Sequence, residues 1–509
     1  MPHPPLESTC RPRTFLLAWV VSLVVLGGVF LVGCGQEGQP ESSSRVHPEP
    51  FPRFDQPPNI LFLSIDTQRA DHLGCYGYAR DTSPNIDHFA AESIRYTQAY
   101  APTPWTLPSH VAMFCGRHPY KLGINDINAA IPLTAPVMTT YLKAAGYQTA
   151  AFVDSKPKGM VGARRGFDRG FDVYKHAPHQ ASVHSPFVYE MAATVEVAQH
   201  WLMQRDVNKP FFLFLHTKSV HGVAEGLGED PRRFPYDKPE PYRSRYLTAD
   251  QAKFIWGGPG EPGAEPYLRY LNKQFAYGTL DPATYSAQRV EALKALYDGG
   301  IRYMDQYFGV LMNFLDETEL SQDTIVIVTA DHGEGFLEHQ FFHHIEVYKQ
   351  LLHVPLIIRL PRDRVGKVIE LPVEIGDIMP TILGFAGLEA PGSIDAIRLP
   401  LDSSINRPKR QIFGCYQFGD RGFYDAFSLL EGDWKLLFHK YPKNKTWQAH
   451  LFNVTSDVDE LAPITSKSDR IKAMLKSITL WQGLSSNTQS AISLDPETLN
   501  HLRNLGYID

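Results

Sequence analysis

A chain of 509 residues is too long for one small core, so two to four domains, or one large α/β unit with an appendage, are expected. Its 43% hydrophobic and 20% charged content is that of an ordinary globular protein. A net charge of -6 gives no basic footprint for nucleic acid, and no internal repeat marks a solenoid.

The N-terminus reads as an address rather than as part of the fold. Arg11 and Arg13 precede an apolar run from Phe15 to Val32 that ends in LVGCG. A basic flank before a short apolar core is an export signal. The ending resembles a bacterial lipoprotein signal, which would put a lipid on Cys34 and anchor the protein in the cell envelope, on the periplasmic side. The alternative is an uncleaved membrane anchor, since the run nearly reaches the roughly 20 residues that span a bilayer. Residues 35–57 are polar and Pro-rich and read as a tether. Of five cysteines, Cys10 and Cys34 belong to this leader. Cys75, Cys115 and Cys415 remain, and pairing of two of them or burial as thiols are both open.

Three apolar runs share one habit. NILFLSI ends at Asp66, PFFLFL ends at His216, and TIVIVTA ends at Asp331 and His332. Continuous runs of this kind suit strands buried on both faces. Between them lie helical patterns in SPNIDHFAAESI, PVMTTYLKAAG and VEALKALYDGGIRYMDQYFGVLMNFLDE. Alternation of this kind predicts an α/β fold, a mostly parallel sheet with helices on both sides. Ligands bind beyond the carboxyl ends of such strands, where each run here places a metal-type or acid–base residue. Residues 222–284 are dense in Pro, Gly, Tyr and Arg and read as a surface excursion, either a lid over the site or a decoration. From 391 to 509 the composition changes. QIFGCYQF, FSLLEGDWKLLFHKY and AHLFNV read as antiparallel strands and SDRIKAMLKSITLWQG as a closing helix, a small α+β subdomain after the 58–390 unit.

NILFLSIDTQRADHLGCYGY, TSPNIDHFAAESIRYTQAYAPTPWTLPSHVAMFCGRHP and VIVTADHGEGFLEH resemble, in order, the main blocks of the sulfatase family in the alkaline phosphatase superfamily. The resemblance runs from about Pro58 to Leu388. It implies an alkaline-phosphatase-like fold and one divalent cation, Ca2+ in the family, with Asp66, Asp331 and His332 as ligands. Thr67 stands where the family has a second Asp, which leaves at best a weaker hydroxyl ligand. Thr106 falls at the nucleophile position and is expected to meet the metal through its hydroxyl. It also reads as the cap of the helix that carries VAMF, and Asp66-Thr67 as a cap after the first strand. His221 matches the family's substrate-contacting His, whereas His216 reads as a satisfied buried His. His343 or His344 stands where the family has a basic residue near the leaving group, with His343 favoured. Glu334, Glu338 and His339 fall outside the ligand set or at the surface.

The chemistry supports these assignments. A hard cation wants carboxylate oxygens, and a His joins if the ion is Zn2+ or Mn2+. Coordination makes a hydroxyl acidic enough to attack sulfur or phosphorus. The pattern also departs from the family. The formylglycine motif C/S-x-P-x-R reads Thr106-Leu-Pro-Ser-His110, so the gem-diol route is excluded, His110 takes the place of the motif's Arg and is expected among the catalytic residues, and Ser109 is at a position the family does not use. A G-K-W-H block is missing, with Lys156 and Lys158 only approximately placed. A Thr nucleophile points toward the phosphodiesterase and phosphoethanolamine-transferase branches, where His343 or His344 would hold a second ion. Three readings follow: a sulfate or phosphate ester hydrolase, a transferase or diesterase working on envelope lipid or glycan, and a catalytically silent binding protein of the same fold.

Overall fold

The computed structural model describes residues 51–154, 159–176, 191–222, 236, 238–256, 286–404, 410–417, 424–441 and 446–484. The export leader with Cys34, most of the tether, Lys156, Lys158 and the greater part of the excursion lie outside the described residues. No helix among those described is long and apolar enough to cross a membrane.

The central sheet is built from β1 (Asn59–Ile65), β2 (Ile94–Tyr100), β3 (Gln148–Val153), β4 (Val173–His176), β5 (Phe211–Thr217), β6 (Thr324–Ala330), β7 (His353–Arg359), β8 (Lys367–Ile369) and β9 (Val373–Glu374). Its order is β4-β3-β5-β1-β6-β7-β2-β8, with β9 also paired to β2. Every pairing is parallel except the two made by β7. The three apolar runs of the sequence are the adjacent strands β5, β1 and β6. Their register aligns Ile65 with Thr217 on one side and Ala330 on the other, so Asp66, Lys218 and Asp331 emerge at one edge.

Alternate residues of these strands face opposite cores. Ile60, Phe62, Phe212, Phe214, Ile325 and Ile327 pack on α2 (Thr106–Cys115), α3 (Met138–Ala144) and a helix at Ile378–Phe385. Leu61, Leu63, Leu213, Leu215, Val326 and Val328 pack on α1 (Pro84–Ala91), a helix at Met191–Gln204 and the long α4 (Ala287–Glu317). Each fully buried side chain of this size contributes about 1.5–3 kcal/mol. A strand edge clamped between two such cores is a rigid platform for a site.

A second, antiparallel sheet holds β10 (Ile412–Tyr416), β11 (Asp425–Glu431), β12 (Trp434–Tyr441) and β13 (Thr446–Asn453), in that order. One face carries a helix at Ser468–Leu484 through Ile471, Met474, Leu475 and Ile478. The other face contributes Tyr424, Ala426, Leu437 and Phe452 to the core of the large sheet. The C-terminal part is thus a second sheet that shares a core with the first. Within the excursion, Tyr236 is buried against Tyr297 and Phe336, which ties that segment to α4 and to the loop after β6. Among the described residues, Cys75, Cys115 and Cys415 are free thiols.

Candidate metal and ester site

Four stretches of chain meet at the carboxyl edge of β5, β1 and β6. Asp66 follows β1, Asp331 and His332 follow β6, His216 and Lys218 lie at the end of β5, and Thr106 opens α2. All are buried: Asp66, Asp331, His332 and His216 are 0% exposed and Thr106 5%. His332 Nε2 lies 3.7 Å from Asp66 Oδ1, 3.5 Å from Asp331 Oδ2 and 3.4 Å from Thr106 Oγ1. Its Nδ1–H donates to the Gly333 carbonyl at 2.9 Å, so Nε2 carries the lone pair and turns it toward the two carboxylates.

Backbone holds the acids in place. Asp331 Oδ1 accepts from Thr67 N at 3.2 Å and from His332 N at 2.9 Å. Asp331 Oδ2 is buried with no hydrogen bond, and burial pushes this carboxyl up to about 7 despite the two N–H donors. Thr67 adopts φ 62°, a left-handed conformation that costs a β-branched residue about 1–3 kcal/mol. Tyr297 of α4 stabilises it, donating its hydroxyl to Thr67 O at 2.7 Å and accepting from Arg69 N at 2.9 Å. The Thr67 hydroxyl itself donates to Asp66 O at 2.7 Å, so it is the Thr67 backbone that addresses Asp331.

The capping roles expected from sequence are not formed. The helical turn after Asp66-Thr67 begins at Ala70 and has no side-chain cap. The N-cap of α2 is Trp105, also without a side-chain cap, and Thr106 is the first helical residue with its hydroxyl aimed at His332. Ser109 Oγ donates to Thr103 O at 2.9 Å, away from the site. His110 lies one turn further on. Its Nδ1–H donates to the Thr106 carbonyl at 2.8 Å, and its Nε2 accepts from the Ser64 hydroxyl at 3.0 Å. Burial drives His110 down to about 3, so it is a neutral bracket between β1 and the start of α2. With both ring nitrogens engaged it has no lone pair for a cation, although Nδ1 is 3.7 Å from Asp331 Oδ2.

His216 departs from its sequence reading as a satisfied core His. Neither ring nitrogen has a hydrogen-bond partner, and Nε2 lies 3.7 Å from Asp66 Oδ2. Burial holds it well below the usual imidazole range, hence neutral. Lys218 Nζ is 3.9 Å from the same oxygen. Both follow from PFFLFLHTK, since a strand aligned with β1 must deliver its next residues to the same edge.

The remaining histidines sit on the loop after β6, a tight hairpin closed by reciprocal backbone bonds between Gly335 and His343. His344 packs its ring 4.6 Å from that of His332 and 5.4 Å from that of His221. His343, favoured from sequence, faces Glu334 instead, with Nδ1 3.6 Å from Oε1. Glu334 is fully buried. Glu338 accepts from Arg69 Nη1 at 2.7 Å, and His339 stacks on Tyr348.

The donor set fits a divalent cation. Ligands on a tetrahedral ion with bonds near 2.1 Å are about 3.4 Å apart. The spacings around His332 Nε2 lie close to that value, and an orphaned carboxylate oxygen completes the set.

Open α/β sheets bind their ligands beyond the carboxyl ends of the parallel strands, which is where this chain gathers its reactive groups. Comparison with known proteins identifies the family. The model of the family described as Sulfatase matches residues 58–388. The N-acetylglucosamine-6-O-sulfatase of Bacteroides thetaiotaomicron is 22% identical, covering 82% of this chain and 84% of its own. Arylsulfatase K of Xenopus laevis is 28% identical over 56% of this chain and 54% of its own. Among solved structures, the phosphonate monoester hydrolase of Agrobacterium radiobacter superposes with a TM-score of 0.64 at 18% identity, covering 84% of this chain and 95% of its own. A protein bound to its substrate D-glucosamine-2-N,6-O-disulfate gives 0.61 at 20%, covering 86% and 100%. The chain belongs to the sulfatase family of hydrolases.

Proposed function

We propose that this chain cleaves a sulfate or phosphate ester by attack of the Thr106 hydroxyl on sulfur or phosphorus. The observation that carries this is the convergence of Thr106 Oγ1, His332 Nε2 and two buried carboxylates at one strand edge. Asp66, Asp331 and His332 would hold a divalent cation, with His216 as a further donor. Bound there, the cation supplies Lewis-acid charge that acidifies a neighbouring hydroxyl and offsets charge on the ester. An imidazole among the donors favours Zn2+ or Mn2+ over Ca2+.

The chain's own groups do the rest. His110 fixes the Thr106 carbonyl and with it the first turn of α2. Only Thr106 and Leu107 carry N–H groups ahead of the first intrahelical bond, Ser109 N to Trp105 O, and these favour an anion at that end. Lys218 and His221 follow β5 at the same edge and bring a cationic and an imidazole group to it. Burial holds His221 well below its usual range, so it would donate a hydrogen bond to an ester oxygen rather than serve as a proton reservoir. Thr106 Oγ1 bonds to the central atom, the bond to the leaving oxygen breaks, and the alcohol departs with a proton. Water then opens the Thr106 ester, releases sulfate or phosphate and returns the hydroxyl proton. A formylglycine route is closed, because no Cys or Ser stands at 106.

The relative named for N-acetylglucosamine-6-O-sulfate supports a sulfated sugar as the first substrate to try. Residues 11–34 support export and lipid anchoring through Cys34, which labelled palmitate incorporation into wild type but not Cys34→Ala would report. The function is tested with paired aryl and glucosamine sulfates and phosphate mono- and diesters, each with Zn2+, Mn2+ and Ca2+. A quenched reaction should leave a sulfo or phospho group on the peptide that contains Thr106. Turnover with that peptide unmodified under every condition, or no turnover at all, sinks the proposal.

A further inference from the structure

We infer that Glu334, His343 and His344 form a second cation site, of the kind that takes Zn2+ or a neighbouring first-row ion, beside the Asp66–Asp331–His332 group and separate from it. One carboxylate oxygen and one nitrogen from each ring lie within 4.8 Å of one another. Glu334 Oε1 is 3.6 Å from His343 Nδ1 and 3.4 Å from His344 Nδ1. A charge-assisted hydrogen bond would close to about 2.7–2.9 Å. The observed spacing is instead that of ligands around a shared tetrahedral ion, about 3.4 Å.

Two further observations point the same way. The cluster is buried, and beyond one long hydrogen bond between His344 Nδ1 and Glu334 Oε1 its polar atoms are not satisfied: Glu334 Oε2 and both ring nitrogens of His343 have no hydrogen-bond partner, with Glu334 0% and His343 4% exposed. Buried polar groups are almost always paired, and a bound ion is one of the few explanations for a set that is not. His343 also holds φ 63°, an unfavourable left-handed conformation for a residue with a side chain. The Gly335–His343 backbone pair imposes it, and the result is an imidazole turned back over Glu334. Two imidazoles and one carboxylate leave a coordination position open, as in catalytic rather than structural zinc sites. The cluster adjoins the first group through the His344 and His332 rings, 4.6 Å apart, and the His221 ring lies 5.4 Å from that of His344. A hard cation such as Ca2+ would want oxygens in place of the two rings.

This inference concerns binding and does not depend on Thr106 as nucleophile. The full chain is stripped with a chelator and titrated with Co2+, read by visible d–d absorption, and its Zn2+ content after equilibrium dialysis is measured by elemental analysis. Two equivalents are expected for wild type, one for the Glu334→Gln/His343→Gln pair and one for Asp331→Asn, with different cobalt spectra for the two variants. A single equivalent in wild type that Asp331→Asn removes and Glu334→Gln/His343→Gln keeps overturns the second site and leaves the Thr106 reading standing. Two equivalents that survive in the Glu334→Gln/His343→Gln protein overturn it as well, as does a wild type that binds none. If the double variant fails to fold, the wild-type stoichiometry and the single His343→Asn protein decide.

Discussion

Thr106 Oγ1 and His332 Nε2 lie 3.4 Å apart although 226 residues separate them in the chain. A hydroxyl that begins a buried helix has no structural need for that partner, since α2 is not capped by it. Replacing Thr106 with Val keeps the volume and branching and removes only the oxygen. Turnover should fall by about 10,000-fold or more, the scale of losing a nucleophile. Cation content and thermal midpoint should stay close to wild type, and Thr106→Ser should keep measurable activity. A Val variant that turns over at the wild-type rate removes Thr106 from the mechanism.

With the proposed ligand set, Asp331 should set the pH dependence of cation uptake. Burial raises its carboxyl to about 7, so below that pH the metal-free protein carries a proton there that a cation must displace. Affinity should therefore rise with pH up to about 7, by at most tenfold per unit, and level off above it. His332 is held below its usual range, chiefly by burial, and adds no competing proton near neutrality. Calorimetric titration at pH 6 in two buffers of different ionisation heat should show proton release of up to about one per ion, shrinking toward zero by pH 8. Uptake that is flat between pH 5.5 and 8 would remove Asp331 from the ligand set.

The strand platform was legible because continuous apolar runs stop abruptly at Asp66, His216 and Asp331, and the parallel sheet places all three stops on one edge. The C-terminal antiparallel sheet was legible from its apolar stretches, but FSLLEGDWKLLFHKY is two strands, β11 and β12, turned at Gly432 and Asp433. Side-chain direction was not legible. Whether His216 is satisfied depends on what faces it across β1 and β3, and whether His343 or His344 meets His332 depends on the left-handed residues of the hairpin, Leu337, Gln340 and His343. Periodicity carries no information about either. The role of His110 was hidden likewise, because its partner Ser64 sits inside an apolar run and reads there as filler.

His110 should behave as a positioning residue. His110→Phe fills the space but strands the Ser64 hydroxyl and the Thr106 carbonyl, two buried groups whose desolvation costs about 1–3 kcal/mol each. Stability should drop by that order in chemical denaturation, and kcat should fall while cation stoichiometry is kept. His110→Asn, whose amide nitrogen can still donate to the Thr106 carbonyl, should recover part of kcat. If His110→Phe loses the cation but keeps the rate per loaded site, the residue is a ligand and its hydrogen bonds are incidental.

Gly333 tests how closely the site is bound to the fold beneath it. A Cβ there would sit 1.9 Å from the Gln350 carbonyl oxygen, a backbone atom that cannot swing aside, and 3.3 Å from Arg69 Cγ. Gly333 N also donates to Leu351 O at 2.8 Å, so the strand end is pinned against the segment it would have to leave. Gly333→Ala must move the peptide whose carbonyl orients His332 through Nδ1. Overpacking of this kind costs about 1–3 kcal/mol, and disturbing the group that aims a metal-binding His costs about 10–100-fold in affinity. Gly392, with open space around its Cβ position and no positive φ, is the control, and Gly392→Ala should stay within about 0.5 kcal/mol. A Gly333→Ala protein with unchanged stability and cation affinity would mean that His332 is aimed by something other than the Gly333 carbonyl.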